Sequence, residues 1–463
     1  MPSPQPSSVL RSPKLWIGSG LILAVVSTLF ALLYVGGNVN PKGNLRDLPV
    51  ALVNSDRGAD TGGKHVNLGE QVVAGIEKSA ASNHSIAWQV MTRQEADKRL
   101  GQGKLYGALV VPADFTTAVA GLTPAPQQGQ AQAQGQAAQG QAAQGQAQPQ
   151  GQGQAQPQPA RPTLTVLTNQ SAGSIGSSMA SGASQKAAHA ASAQLGKDLL
   201  GRAAGQGAQL SPAAKLMLAD PVAVEIADGH PLGARSAMGL SAFYYALVLL
   251  VCGMLAANVV NSQVDNALGY LHTDMGPFRQ RTPLRHTSRV RTLAVNTVIM
   301  LGLSVVMGSL VEATTVGLLD MDASHLGLLW LYSVGTIAVV GISGLALLAV
   351  FGTPGMLLST IVFIAMAVPS SGATVPLEAL PGFFRTLSEF EPLRQLTGGL
   401  RSILYYGAQA DAGLTRAWTA MGIALAVSLA FGFGMTRLYD RKGLHRIPRP
   451  EEAADAAAEP VKA

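Results

Sequence analysis

The chain has one cysteine, Cys252, among 463 residues. It lies inside an apolar run, which excludes an intramolecular disulfide and a thiolate metal centre and makes it a small packing residue. Charge is also scarce. Asp, Glu, Lys and Arg make up 13% of the chain, about half the share of an ordinary soluble domain. His65 and His84 share no ligand spacing with another His or Cys, so no metal site is expected. No nucleophile stands beside a base and an orienting group, so no catalytic or cofactor-binding residue is singled out and an enzyme is not expected. The segment Gly58 to His65 resembles a phosphate-binding loop but lacks the Ser or Thr that should follow Lys64, and it reads as a turn.

What the chain does have is apolar length. Its hydrophobic residues, 48% of the total, gather in runs of roughly 17–25, the length that crosses hydrocarbon as a helix. The first is Leu15 to Val35, longer than the core of a signal peptide and expected to remain as an anchor. Five more follow a gap of about 200 residues: Met238–Val260, Thr292–Val311, Leu326–Phe351, Pro354–Pro369 and Ala417–Leu438. Arg279, Arg281, Arg285, Arg289 and Arg291 crowd residues 261–291. Arg437, Arg441, Lys442, Arg446 and Arg449 crowd the tail. By the positive-inside rule both regions are cytoplasmic, as is the N-terminus, whereas the connection holding Asp320 and Asp322 faces out. The net charge of +6 thus sets topology, and no nucleic-acid partner is expected. Glu312 lies at the edge of the third run, and no run carries Lys or Arg near its centre. That argues against a proton-driven transporter.

The expected fold class is an α-helical polytopic membrane protein of six transmembrane helices with an α/β extracytoplasmic domain between spans 1 and 2. Residues 1–14 form a cytoplasmic N-terminus, 15–35 the first span, 36–237 the external domain, 238–438 a five-helix membrane domain and 439–463 a cytoplasmic tail. In the external domain, strands are predicted at Pro49–Asn54, Ile86–Met91, Leu105–Val111, Thr163–Thr168 and Pro221–Ile226. Helices are predicted at 67–80, after Thr92 with Glu95 as in a capping box, and over the Ala/Ser/Gly-rich stretch 172–204. Residues 124–160 are nearly pure Gln, Gly, Ala and Pro, with too little to bury, and read as a disordered insert. Asp56 and Asp60 read as turn or cap residues, with calcium as the alternative. Asn83 and Asn169 each begin a glycosylation pattern, which is common by chance.

Two loops stand out. In the cytoplasmic loop, Asp274, Gly276, Pro277, Phe278, Arg279 and Arg281 mix basic, apolar and turn residues, a composition suited to docking on a partner. Between the last two spans, Pro376, Pro381, Phe383, Glu391, Pro392, Arg394 and Arg401 lie in a segment too apolar for a free loop. It is a candidate for dipping back into the membrane, with a simple lid as the alternative.

These parts resemble the type-2 ABC exporter permeases, and within them the phage-infection-protein-like (YhgE/Pip) membrane proteins. The likeness rests on the layout of one span, a large external domain and five spans. It also rests on Pro49 to Asp56, on Glu95 to Phe115 with its helix, strand, proline and Asp114-Phe115, and on the proline-rich outer loop ending near Arg401. The resemblance implies a permease subunit in the cell membrane that forms a homo- or heterodimer and works with a separate P-loop ATPase docked on the loop 261–291. It would move a hydrophobic or amphipathic substrate outward. The competing reading is a non-transporting surface protein, such as a receptor, a cell-wall scaffold or a secretion-system component.

Overall fold

The structure, a computed structural model, describes residues 13–36, 40–61, 64–80, 84–122, 161–205, 210–270, 273–275, 278–280, 283–444 and 446. The expected insert 124–160 and Asn83 lie outside the described residues. The fold is mainly helical, with an α/β region in the N-terminal half. Among the described residues, five helices are long and apolar enough to cross a membrane, all of them in the C-terminal half.

The chain opens with helix α1 (Pro13–Tyr34). Several of its apolar side chains, including Ile17, Leu21 and Leu32, are exposed, while Leu33 is buried near its C-terminal end. The α/β region follows. Strand β1 (Leu48–Asn54) leads to a hairpin of β2 (Ala59–Thr61) and β3 (Lys64–Val66), helix α2 (Leu68–Ala80) and strand β4 (Ile86–Val90). Helix α3 (Arg93–Leu100), strand β5 (Gly107–Val111) and helix α4 (Phe115–Ala120) come next. Strand β6 (Thr163–Thr168), the long helix α5 (Ser174–Gly205), helix α6 (Pro212–Ala219) and strand β7 (Ala223–Asp228) complete it. The sheet order is β4-β1-β5-β6-β7. Strand β1 pairs in parallel with β4 and β5, β6 runs antiparallel to β5, and β7 is parallel to β6.

Strand β1 lies inside the sheet between β4 and β5, and Val50, Ala51, Leu52 and Val53 are all fully buried. A continuous apolar run is what a strand covered on both faces requires. On one face Leu52, Leu109 and Val166 pack with Val72, Ile76 and Phe115. On the other, Ala51 and Val53 pack with Ala96 and Leu100 of α3. The buried face of α5 is built of small residues, among them Ser177, Ala180, Ser184, Ala188 and Ser192. Their spacing of three and four keeps them on one side, where they let this long helix lie close against the sheet.

Asp56 ties this region together. Its carboxylate accepts hydrogen bonds from the backbone N–H of Gly58 (3.2 Å), Gly69 (3.0 Å) and Thr116 (3.1 Å), and from the Thr116 hydroxyl (2.5 Å). Gly69 and Thr116 lie in the first turns of α2 and α4, so one anion satisfies orphan donors of two helices and faces both positive dipole ends. Of the two expected roles for Asp56, the cap is the one observed. Asp60 instead makes a 3.1 Å contact with His65 across the β2–β3 hairpin, and Lys64 and His65 lie in strand β3, where a phosphate loop would open a helix. Thr92 caps α3 through the Glu95 N–H (3.3 Å), while the Glu95 carboxylate takes the Arg99 Nε–H (2.7 Å). Asn169 is fully buried, and its amide donates to the carbonyls of Leu100 (2.9 Å) and Leu105 (2.8 Å). Its side chain is therefore committed in the folded chain and unavailable to a glycan.

The C-terminal half holds α7 (Ser241–Ala267), α8 (Arg289–Glu312, continued by a π-helical turn Ala313–Leu318) and α9 (Leu326–Phe351). Then come α10 (Thr353–Thr360, extended to Ser370), α11 (Gly382–Phe390), α12 (Pro392–Tyr405) and α13 (Leu414–Arg441). Helix α9 packs against α7, α8 and α13 and forms the centre of the bundle. Large apolar side chains stand out on the bundle's periphery, with Val298 69%, Leu310 61% and Ile423 65% exposed. So much exposed hydrocarbon is the surface of a protein solvated by lipid. Close approach inside the bundle uses small residues, as between membrane helices generally. A Cβ on Gly253 of α7 would stand 2.9 Å from Val340 Cβ of α9.

The third apolar run differs from expectation. The candidate span covers Arg289–Leu318, where Thr292–Val311 was predicted, because the π-helical turn prolongs it. Glu312 thus lies within the helix and not at its edge, with Oε2 buried and unpartnered among the described residues.

Candidate functional site at the junction of the α/β region and the bundle

After α10 the chain makes a single turn at Leu377–Ala379 and then forms α11 and α12, which lie outside the five candidate spans. Local chemistry explains each boundary. Pro376 and Pro381 precede the turn and α11, and Pro392 opens α12, where its missing N–H is no loss. Glu391 is the N-cap of α12, its carboxylate accepting the Arg394 N–H at 2.9 Å. Helix α11 is two-sided. Phe384 and Ser388 are buried, while Phe383 and Phe390 are exposed.

The stretch from Glu378 to Asp411, which includes this pair, carries the α/β region. Tyr106 donates to Glu378 (3.2 Å), and the Glu378 carbonyl accepts the Arg46 N–H (2.8 Å) and Arg385 Nη2 (3.1 Å). Gln102 donates to Asp411 (2.8 Å), and Lys104 lies 3.4 Å from the same carboxylate. His230 Nε2 is 2.9 Å from the Tyr405 carbonyl, and the Tyr405 hydroxyl accepts the Ala242 N–H of α7 (3.0 Å). Helix α12 itself packs on α7 and α13. One short helix therefore touches the α/β region and two long helices at once.

The junction is polar and contains buried ionisable groups. Glu391 is 3% exposed, and burial pushes its carboxyl up to about 7 against the pull of the α12 N–H groups and Arg394. Burial likewise raises Glu378 and lowers Arg394 from their ordinary values. Arg394 spends Nη1 on the Ser388 carbonyl (3.0 Å) and hydroxyl (2.9 Å). The structure thus brings Pro376, Pro381, Glu391, Pro392, Arg394 and Arg401 together at one junction and leaves Phe383 on the outer surface.

Residues 19–424 match a family described as a protein of unknown function, DUF3533. The chain belongs to that family. No curated protein matches the chain, and no solved structure matches it.

The other candidate region lies at the opposite end of the bundle. Strands β8 (Thr273–Met275) and β9 (Phe278–Gln280) form a small antiparallel hairpin that places Asp274 opposite Arg279 and Met275 opposite Phe278. Gly276, Pro277 and Arg281 lie outside the described residues. The tail closes over the flanks of this hairpin. Arg446 pairs with the buried Asp265 through both carboxylate oxygens, one at 2.8 Å, and lies 5.1 Å from the centre of the Tyr270 ring. Asp440 accepts the N–H groups of Arg289 (2.9 Å) and Val290 (3.1 Å), capping the start of α8 from the end of α13. Sequence reasoning counted Arg446 as topogenic charge and missed these pairings, because partners about 180 residues apart carry no local spacing signal. Tyr106 and Glu378 went unnoticed for the same reason.

Gly103 supplies a sharp test of the junction. It has φ +66°, and a Cβ there would stand 2.6 Å from the Tyr406 hydroxyl oxygen. Gly103→Ala is expected to lower stability by about 1–3 kcal/mol, from the left-handed backbone and the clash together. Thermal unfolding of the purified full chain should fall, and proteolysis should free the α/β region from the bundle first. A variant as stable as the parent would show that the α/β region does not seat on Tyr406.

Proposed function

We propose that this chain is the membrane subunit of an ABC-type exporter, working as a dimer with a separate P-loop ATPase and moving a hydrophobic or amphipathic substrate outward. In this reading α1 is a sixth span and both termini are cytoplasmic. Residues 36–237 lie outside the cell membrane, and α11 and α12 sit at its outer surface with Phe383 and Phe390 turned to lipid. The observation that carries it is mechanical continuity. Helix α12 touches α7, α13 and the α/β region together, so a shift of the spans reaches the outer domain without passing through a flexible linker. The β8–β9 hairpin, projecting between α7 and α8 at the other end, is the natural place for an ATPase to push.

The test is capture of the tagged full chain from its own membranes in mild detergent, with the partners identified by mass spectrometry. A stoichiometric P-loop ATPase is expected. It should be lost when Asp274 to Arg281 is replaced by a Gly/Ser linker and kept when Gly103 is replaced by Ala. Cell-wall or extracellular partners without an ATPase would sink the exporter and favour a non-transporting surface protein.

A further inference from the structure

The junction contains a cavity of about 160 Å³ whose walls include Arg394, Arg401, Arg416, Thr397, Gln395 and Tyr106. Space of that size admits more than one water or a small polar group. Its walls carry three arginines, of which Arg394 has Glu378, Glu389 and Glu391 close by. Glu378 is held by the Tyr106 hydroxyl, and neither Arg401 nor Arg416 has an ion-pair partner among the described residues.

Arg401 is the telling residue. Its Nε and Nη2 are both buried, and neither has a hydrogen-bond partner among the described residues. These two atoms form one edge of the guanidinium, the pair of parallel N–H donors that grips two oxygens of a carboxylate or phosphate. Charged N–H donors buried without an acceptor are costly, so a fork left open in this way on a half-buried arginine calls for an anion. A second, independent group points the same way. Thr397 is 1% exposed, lines the same cavity, and its hydroxyl also lacks a partner. Gly173 of the α/β region approaches Arg401 closely. A Cβ there would stand 3.6 Å from Nη2.

We infer that this cavity is a binding site for a phosphate-class oxyanion, gripped side-on by Arg401, donated to by Thr397 and further neutralised by Arg394 and Arg416. Its position at the ends of α10 and α13, beside Ser371 and Gly413, lets it take either a phosphate carried on a lipid headgroup or free phosphate. The site goes beyond the exporter reading and stands without it, since no ATPase and no transport enter the argument.

The test uses the purified full chain in a non-ionic detergent, with binding followed by thermal shift and by isothermal titration. The probes are inorganic phosphate and dihexanoyl phosphatidic acid, with dihexanoyl glycerol as the phosphate-free control. The parent is expected to bind at least one phosphate probe and not the control. Binding of inorganic phosphate identifies the free ion as sufficient, and binding of the lipid alone identifies the headgroup. Arg401→Gln should weaken binding at least tenfold, and its ligand-free melting temperature should equal or exceed the parent's, because two buried donors without partners are gone. Thr397→Val should weaken binding about threefold with melting unchanged. Arg401→Lys, which keeps the charge but loses the fork, should bind more weakly than the parent while folding normally. Failure of both phosphate probes to bind the parent overturns the inference. So does binding to Arg401→Gln at parental strength, or a clear drop in its ligand-free melting temperature, which would give Arg401 a structural partner.

Discussion

Asp56→Ala is expected to destabilise the α/β region by about 4 kcal/mol, a large fraction of the roughly 5–15 kcal/mol that holds a typical domain folded. The carboxylate is buried and serves four donors. Alanine leaves the N–H groups of Gly69 and Thr116 buried without an acceptor, at about 1–3 kcal/mol each. It also removes a negative charge from two helix starts, at about 0.3–1 kcal/mol each. Asp56→Asn keeps one carbonyl oxygen and should lose roughly half as much. The measurement is thermal unfolding of the full chain together with proteolysis across β1 to α4. Cleavage should appear there in Asp56→Ala before the bundle loosens. Unchanged protection would show that water can replace the carboxylate, and the capping account would be wrong.

Stability should also fall as pH rises, through Glu391. Its folded-state value of about 7 lies above the ordinary 4.5, so between those values the folded chain holds a proton that the unfolded chain has released. Below about pH 4.5 both states are protonated and Glu391 adds no penalty. Across 4.5 to 7 the penalty grows, and above 7 it is complete, at about 3 kcal/mol. Glu391→Gln keeps the shape and the cap to Arg394 but cannot ionise. It should match the parent near pH 4.5 and melt higher at pH 8. Parallel melting profiles for the two proteins over pH 4.5 to 8 would show that the carboxyl reaches water.

Much of the fold was legible because it depends on local pattern. β-Branched and apolar runs bounded by turns placed the strands, and Thr163–Thr168 has the observed bounds. Long uncharged runs marked the helices of the bundle, with Leu326–Phe351 matching at both ends. The remainder was hidden for physical reasons. The π-helical turn after Glu312 has no composition of its own. Small residues in α5 suggested only a weak face, yet smallness is what buries Ser184 and Ala188 against the sheet. At the junction, the prolines and Glu391 announced themselves through their fixed backbone roles. Arg401 could be named from its segment, but its open fork could not, because that depends on Gly173 arriving from the α/β region, while Thr397 lies one turn earlier on the same helix.

Helix α9 and helix α10 are separated by Gly352 alone, at φ +65°. Gly355 sits back against the Leu347 carbonyl, so the chain reverses within a single turn. Gly352 also shares a small cavity with Arg289 and Arg446, which places this reversal on the same end of the bundle as the β8–β9 hairpin and the tail. That end is therefore lopsided. Two adjoining helices meet there in a blunt corner with nothing to grasp, while the hairpin and the Arg446 clasp supply the handholds. A body pressing on this end would bear first on α7 and α8, and through their packing on α9 it would reach α13 and, across the Gly352 corner, α10, so any stroke delivered there spreads inward from one side of the bundle.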